Sequence, residues 1–197
     1  RQLTELGTVL AAAVSPDARM VAYVTDTGGA LWVRDTAAGA APRALLRRAA
    51  PGDQVSRVRW RAGMAGPVVD GRLGDVSGFW EVPLAGGPPR LLAAAPAEDL
   101  TSPMVWEPWD LAADGTWAVA WRTSLWTGRD PRRVPWAGGA PAEGRMVALP
   151  PRVEQVAAVA LAPDGARVAA LVYRAGESLV VVAATDGSET RAIPLAW

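Results

Sequence analysis

Ser15-Pro16-Asp17-Ala18-Arg19-Met20-Val21-Ala22-Tyr23, followed by Leu31-Trp32-Val33-Arg34-Asp35-Thr36-Ala37-Ala38-Gly39, decides how this chain is read. A turn leads into an apolar strand, and a second strand follows and closes on glycine. The same order returns as Ala162-Pro163-Asp164-Gly165-Ala166-Arg167-Val168-Ala169-Ala170 and then Leu179 through Gly187. Two looser copies lie between them. Their closing glycines, Gly39, Gly87, Gly139 and Gly187, fall at intervals of 48, 52 and 48 residues. Self-similarity at a fixed period of this size is the mark of a stacked or radial repeat.

Strand signals dominate within each copy. Val9 to Val14, Val21 to Thr25, Leu31 to Asp35, Val156 to Leu161, Val168 to Tyr173 and Leu179 to Ala183 are short apolar or alternating runs bounded by turn residues. The Asp-x-Gly turns have a mechanism, because glycine accepts positive φ and the aspartate can bond its own backbone. After three of the closing glycines comes a further short strand: Pro42-Arg43-Ala44-Leu45-Leu46, Pro89-Arg90-Leu91-Leu92 and Thr190-Arg191-Ala192-Ile193. Arg43 to Ala50, the best helix candidate, sits between Pro42 and Pro51 and reads as such a strand plus a connection. The expectation is an all-β chain, a β-propeller of four blades, each a four-stranded antiparallel sheet.

The quoted segments resemble the TolB-like, WD-like propeller repeat. The first and fourth copies match it well, with Ala162 in place of the usual serine. The third uses Ala113-Asp114-Gly115-Thr116-Trp117 as its turn, with an alternative register through Trp106-Glu107-Pro108. The second keeps only Trp60 before the turn, and Arg61-Ala62-Gly63-Met64 replaces the turn motif. Expected blades are residues 5–48, 49–96, 97–150 and 151–193. Residues 1–4 and 194–197 read as strands of neighbouring blades, which makes the chain an arc of a six- to eight-bladed ring, with a closed four-bladed ring as the alternative.

Composition narrows the chemistry. Twenty basic and twenty acidic residues give zero formal charge, and every basic residue is arginine. That balance offers no long-range attraction to nucleic acid. There is no histidine and no cysteine. A Ser-His-Asp triad, a thiolate nucleophile, a disulfide and a zinc-thiolate site are therefore absent from this chain. No run approaches the length of a membrane helix, and no cofactor or metal is implied.

Asp17, Asp114 and Asp164 recur at one repeat position, and turn capping explains them better than calcium binding, which needs more oxygen donors at alternating spacing. Trp32 and Trp80, with Trp126 or Trp136, read as rings between blades. Ser77 lies in Gly74-Asp75-Val76-Ser77-Gly78, a hairpin context without the strand–elbow–helix of a hydrolase. Arg129, Arg132 and Arg133 read as a solvated loop. The best local candidate for a ligand site is Trp106, Glu107, Trp109 and Asp110, two rings and two carboxylates that could stack a sugar or a peptide side chain. Packing of an inter-blade connection is the competing account.

Three functions follow. The resemblance implies a non-catalytic propeller of the bacterial cell envelope, in the periplasm, binding a protein or peptide partner through rim loops and channel mouth. The alternative is the substrate-gating domain of a prolyl-oligopeptidase-like serine peptidase whose catalytic domain lies outside this chain. A glycoside hydrolase using Glu107 and Asp110 ranks last. An open arc would also self-associate through its terminal faces.

Overall fold

The computed structural model describes residues 9–25, 29–37, 39–47, 49–61, 63–94, 106–124, 128–135 and 153–195, with the side chains of 106–108, 121–124 and 128–135 left aside. All regular structure among them is β. The first sheet has the order β1 (Val9–Val14), β2 (Met20–Thr25), β3 (Leu31–Asp35), β4 (Arg43–Leu46). The second has β5 (Gln54–Arg59), β6 (Val68–Leu73), β7 (Val76–Glu81), β8 (Arg90–Ala94). The third comprises β9 (Trp106–Leu111), β10 (Trp117–Ser124) and β11 (Gly128–Pro135). The fourth comprises β12 (Gln155–Leu161), β13 (Arg167–Arg174), β14 (Glu177–Ala184) and β15 (Thr190–Pro194). Each sheet is an antiparallel meander in chain order. A fourth strand for the third sheet would fall in residues 136–150, outside the described residues.

The chain divides into two compact units, the first holding the first two sheets and the second holding the last two. In the first unit β1 and β2 lie beside β5. Ala22, Val24, Leu31 and Val33 of the first sheet pack with Val55, Val58, Trp60, Val69 and Val82 of the second. In the second unit β9 lies beside β12. Ala112, Trp117 and Val119 pack there against Val156, Val159, Leu161, Val168, Ala170, Val172, Leu179, Val181 and Ala183. β13 and β14 bury alternate residues, the period-2 pattern of a sheet with one covered face.

Two sequence expectations need correction. Pro194 ends β15, and the Leu195 N–H donates to the Ser178 carbonyl at 3.0 Å. Pro194 thus belongs to the outer strand of the fourth sheet and not to a following one, with Leu195 just past its end. Arg129, Arg132 and Arg133 lie on β11, paired with Thr123, Ala120 and Val119, so this stretch is strand and not loop. Trp32 and Trp80 do occupy one register position: each lies directly after the bulge against the fourth strand, Trp32 paired with Tyr23 and Trp80 with Val69, and both are half-buried. In the third repeat the turn falls at Ala113–Thr116, because Trp106 to Leu111 is already strand. Ser77 is the second residue of β7, which begins at Val76 directly after the two-residue Gly74-Asp75 hairpin loop. Trp126 and Trp136 are outside the described residues.

Candidate functional site

The repeated turns come first, because they consume carboxylates. Asp17 accepts from the Arg19 N–H at 3.1 Å, Asp114 from the Thr116 N–H at 3.0 Å and Asp164 from the Ala166 N–H at 2.9 Å. The turn backbone is left-handed at the next residue, with φ of 58° at Ala18, 67° at Gly115 and 69° at Gly165. Alanine is strained there, whereas glycine is at ease. Ser15 Oγ donates to Asp17 and accepts from the Met20 N–H. The serine hydroxyl, and then the Arg19 N–H, hold the Asp17 carboxyl below the ordinary carboxylate range. Thr36 and Thr185 clamp the same turn from the neighbouring strand through the carbonyls of Ala18 and Arg19 and of Gly165 and Ala166.

The second sheet lacks this turn and uses an acid in its place. Glu81 is buried. It takes the Ala65 N–H at 2.8 Å on one oxygen and two Arg90 nitrogens at 2.6 and 2.9 Å on the other. Asp53 is a second buried staple: the Ala49 and Ala50 N–H groups donate to one oxygen at 2.8 Å and the Gly74 N–H to the other at 2.7 Å. In the fourth sheet Glu154 does the same work on the surface, accepting the Ala175 N–H at the β13–β14 hairpin. Sequence reading missed this pair. The available signal was Asp53-Gln54-Val55 recurring as Glu154-Gln155-Val156 at the head of the first strand.

The expected ligand cluster divides. The backbone of Trp106 and Glu107 is on β9, and their side chains lie outside the described residues. Trp109 has no exposed surface and is the largest wholly buried side chain described. Asp110 is buried, and its carboxylate takes the Leu111 N–H and, across to β12, the Leu161 N–H, both at 2.9 Å. Satisfying a backbone donor of the adjacent sheet is a structural task. Tyr23 is also buried, and desolvation pushes its phenol up, with Arg34 pulling the other way. Among the described residues no group of three or more acids could hold a metal ion, and no helix is long and apolar enough to cross a membrane.

What remains open is a surface of the fourth sheet. A pocket of about 260 Å³ is lined by Val182, Ala184 and Ile193 together with the charged Arg167, Glu189 and Arg191. Arg167 Nη2 stands 3.8 Å from Glu189 Oε2, and Ile193 is 40% exposed.

These features define an all-β protein of sequential antiparallel meanders, three of four strands and one of three among the described residues, and the solved structures it resembles make the fold a β-propeller. Hydrazine synthase of Kuenenia stuttgartiensis superposes with a TM-score of 0.68 at 15% identity, over 95% of this chain and 54% of that one. The nidogen/laminin complex gives 0.66 at 7%, over 94% and 64%. TolB from Acinetobacter baumannii gives 0.55 at 13%, over 96% and 55%. The chain thus spans between about half and two thirds of these proteins. At such identities the fold alone is shared, by a protein named as an enzyme and by others that are not. No family model and no curated protein matches the sequence.

Proposed function

We infer that the chain is a non-catalytic binding module, recognising a protein or peptide partner through loops at the blade rims and the channel mouth. The observation that carries this reading is the use made of the acids. Asp53, Glu81 and Asp110 are buried and hold backbone N–H groups, while Asp17, Asp114 and Asp164 cap turns. With no histidine or cysteine in the chain, general acid–base or nucleophilic chemistry has few carriers left. Asp110 in particular is a poor half of a carboxylate pair, since both of its oxygens face backbone donors. The cell-envelope setting belongs to the same reading.

The test pairs a reaction screen with peptide selection. Fluorogenic peptides and aryl glycosides should show no turnover above buffer, and a displayed peptide library should yield sequences binding at micromolar Kd. Turnover that disappears in Asp110→Asn would overturn the reading.

A further inference from the structure

The ends of the sheets that carry the repeated turns differ in charge. On the first sheet this end presents Asp17 and, where β3 stops, Asp35; on the third it presents Asp114, and on the fourth Asp164, Asp186 and Glu189. On the second sheet the matching connections are residues 60–67, between β5 and β6, and residues 82–89, between β7 and β8. Neither contains an acid. The first of them runs to eight residues, against five in each of the connections 15–19, 112–116 and 162–166. The second sheet thus exposes a longer, acid-free loop where its counterparts expose short acidic turns.

Backbone bonds zip the two connections into one piece. The Val82 N–H donates to the Pro67 carbonyl at 2.9 Å and the Leu84 N–H to the Ala65 carbonyl at 3.1 Å. A Cβ at Gly66 would collide with the Val82 carbonyl, so glycine is what lets the backbones come this close. Two arginines are seated on the same segment. Arg90 holds one oxygen of buried Glu81 through Nε and Nη2, yet its side chain is 67% exposed. Arg43, exposed on the first sheet, donates from Nη2 to the Leu84 carbonyl at 3.0 Å. A guanidinium carries more N–H donors than these bonds use, so both arginines are anchored on one side and keep donors for another acceptor. The other oxygen of Glu81 takes the Ala65 N–H, which leaves this carboxylate occupied on both sides. Arg61 adds a positive charge, and half-buried Met64 and Pro83 supply apolar surface on the same two connections.

We propose that this end of the second sheet is the docking surface for an acidic peptide, one with apolar side chains among its carboxylates. The carboxylates pair with Arg43 and Arg90, whose anchored forks lose little freedom on binding, and the apolar groups lie on Met64 and Pro83. Charge complementarity selects the occupant and the place. An acidic segment is attracted to the second sheet and repelled by the aspartates at the same end of the other three. A nucleic acid finds no long-range attraction to a chain of zero formal charge. The proposal rests on the reading of the chain as a binding module and narrows it to one sheet and one class of partner.

Two short capped peptides are the probes, one alternating glutamate with leucine and the other lysine with leucine, titrated into the intact chain at low salt and followed by amide NMR. The acidic peptide should shift the Ala65, Leu84 and Ala85 amides saturably with a Kd of about 100 μM, and the lysine peptide should bind at least about tenfold more weakly. Arg43→Gln and Arg90→Lys should each weaken the acidic peptide severalfold. Arg90→Lys keeps a cation beside Glu81, so loss of binding there does not come from unfolding. Arg167→Gln removes a charge from the exposed surface of the fourth sheet and should leave the affinity unchanged. An equal loss from Arg167→Gln, equal affinity for both peptides, or an oligothymidylate binding as tightly as the acidic peptide would overturn the proposal. Library peptides that bind but shift only amides of other sheets would overturn it too, while leaving the binding-module reading standing. Failure of both probes and of every selected peptide to bind would overturn both.

Discussion

Val33 in the first sheet and Val182 in the fourth occupy one position of one repeat, yet the first is buried and the second is half-buried. The same contrast runs through Ala22 and Ala169, Val24 and Leu171, and Leu31 and Val180. Nothing in the local sequence separates the members of each pair, since all are small or branched apolar residues in strands of matching register. What separates them is the neighbour. In a repeat array each sheet supplies a core face only when another sheet lies against it, so burial is a property of the pair and not of the blade.

The acidic staples give the sharpest way to break that comparison. Asp53 and Glu154 tie the start of the first strand to the following hairpin, but Asp53 is buried with three N–H partners and Glu154 is exposed. Asp53→Ala should cost about 3 kcal/mol, because buried donors lose their acceptor, and Glu154→Ala less than about 1 kcal/mol, both read from urea midpoints. Equal losses would mean that the fourth sheet is as covered as the second. Next comes the apolar pair: Val33→Ala should destabilise by about 2 kcal/mol and Val182→Ala by about 0.5 kcal/mol in the same assay.

The turns should respond oppositely and by less. Ala18→Gly relieves a left-handed alanine and should raise stability by about 1 kcal/mol, while Gly165→Ala introduces that strain and should lower it by a similar amount. An added methyl at Gly165 would also meet Trp117 Cζ2 at 3.4 Å. The smallest effect belongs to Asp17. Its folded carboxyl titrates below its unfolded value, so its contribution is present above the ordinary carboxylate range and is lost as pH falls through the folded value. Asp17→Asn should therefore lower stability slightly at neutral pH, with the difference from the parent vanishing as pH falls below about 4.

Much of this architecture was legible in the sequence. Period-2 apolar runs and Asp-x-Gly turns located β1, β2, β3, β12, β13 and β14 to within a residue or two, because both signals are local. Trp109 and Asp110 were ambiguous for a physical reason: a tryptophan beside a carboxylate is the composition of a sugar site and equally of a packed seam, and only the partner strand, with its Leu161 N–H, distinguishes them. Glu81 escaped notice because its task, substituting for a lost turn motif sixteen residues away at Ala65, has no short-range signature. The exposed face of the fourth sheet was invisible for the same reason that Val33 and Val182 look alike.

Solvent access to those two valines tests the account most directly. With a soluble paramagnetic agent added to methyl-labelled protein, the Val33 methyls should keep their intensity while those of Val182 and Ile193 are attenuated. Protection of Val182 equal to that of Val33 would show the fourth sheet already covered and contradict the contrast in burial between the two sheets.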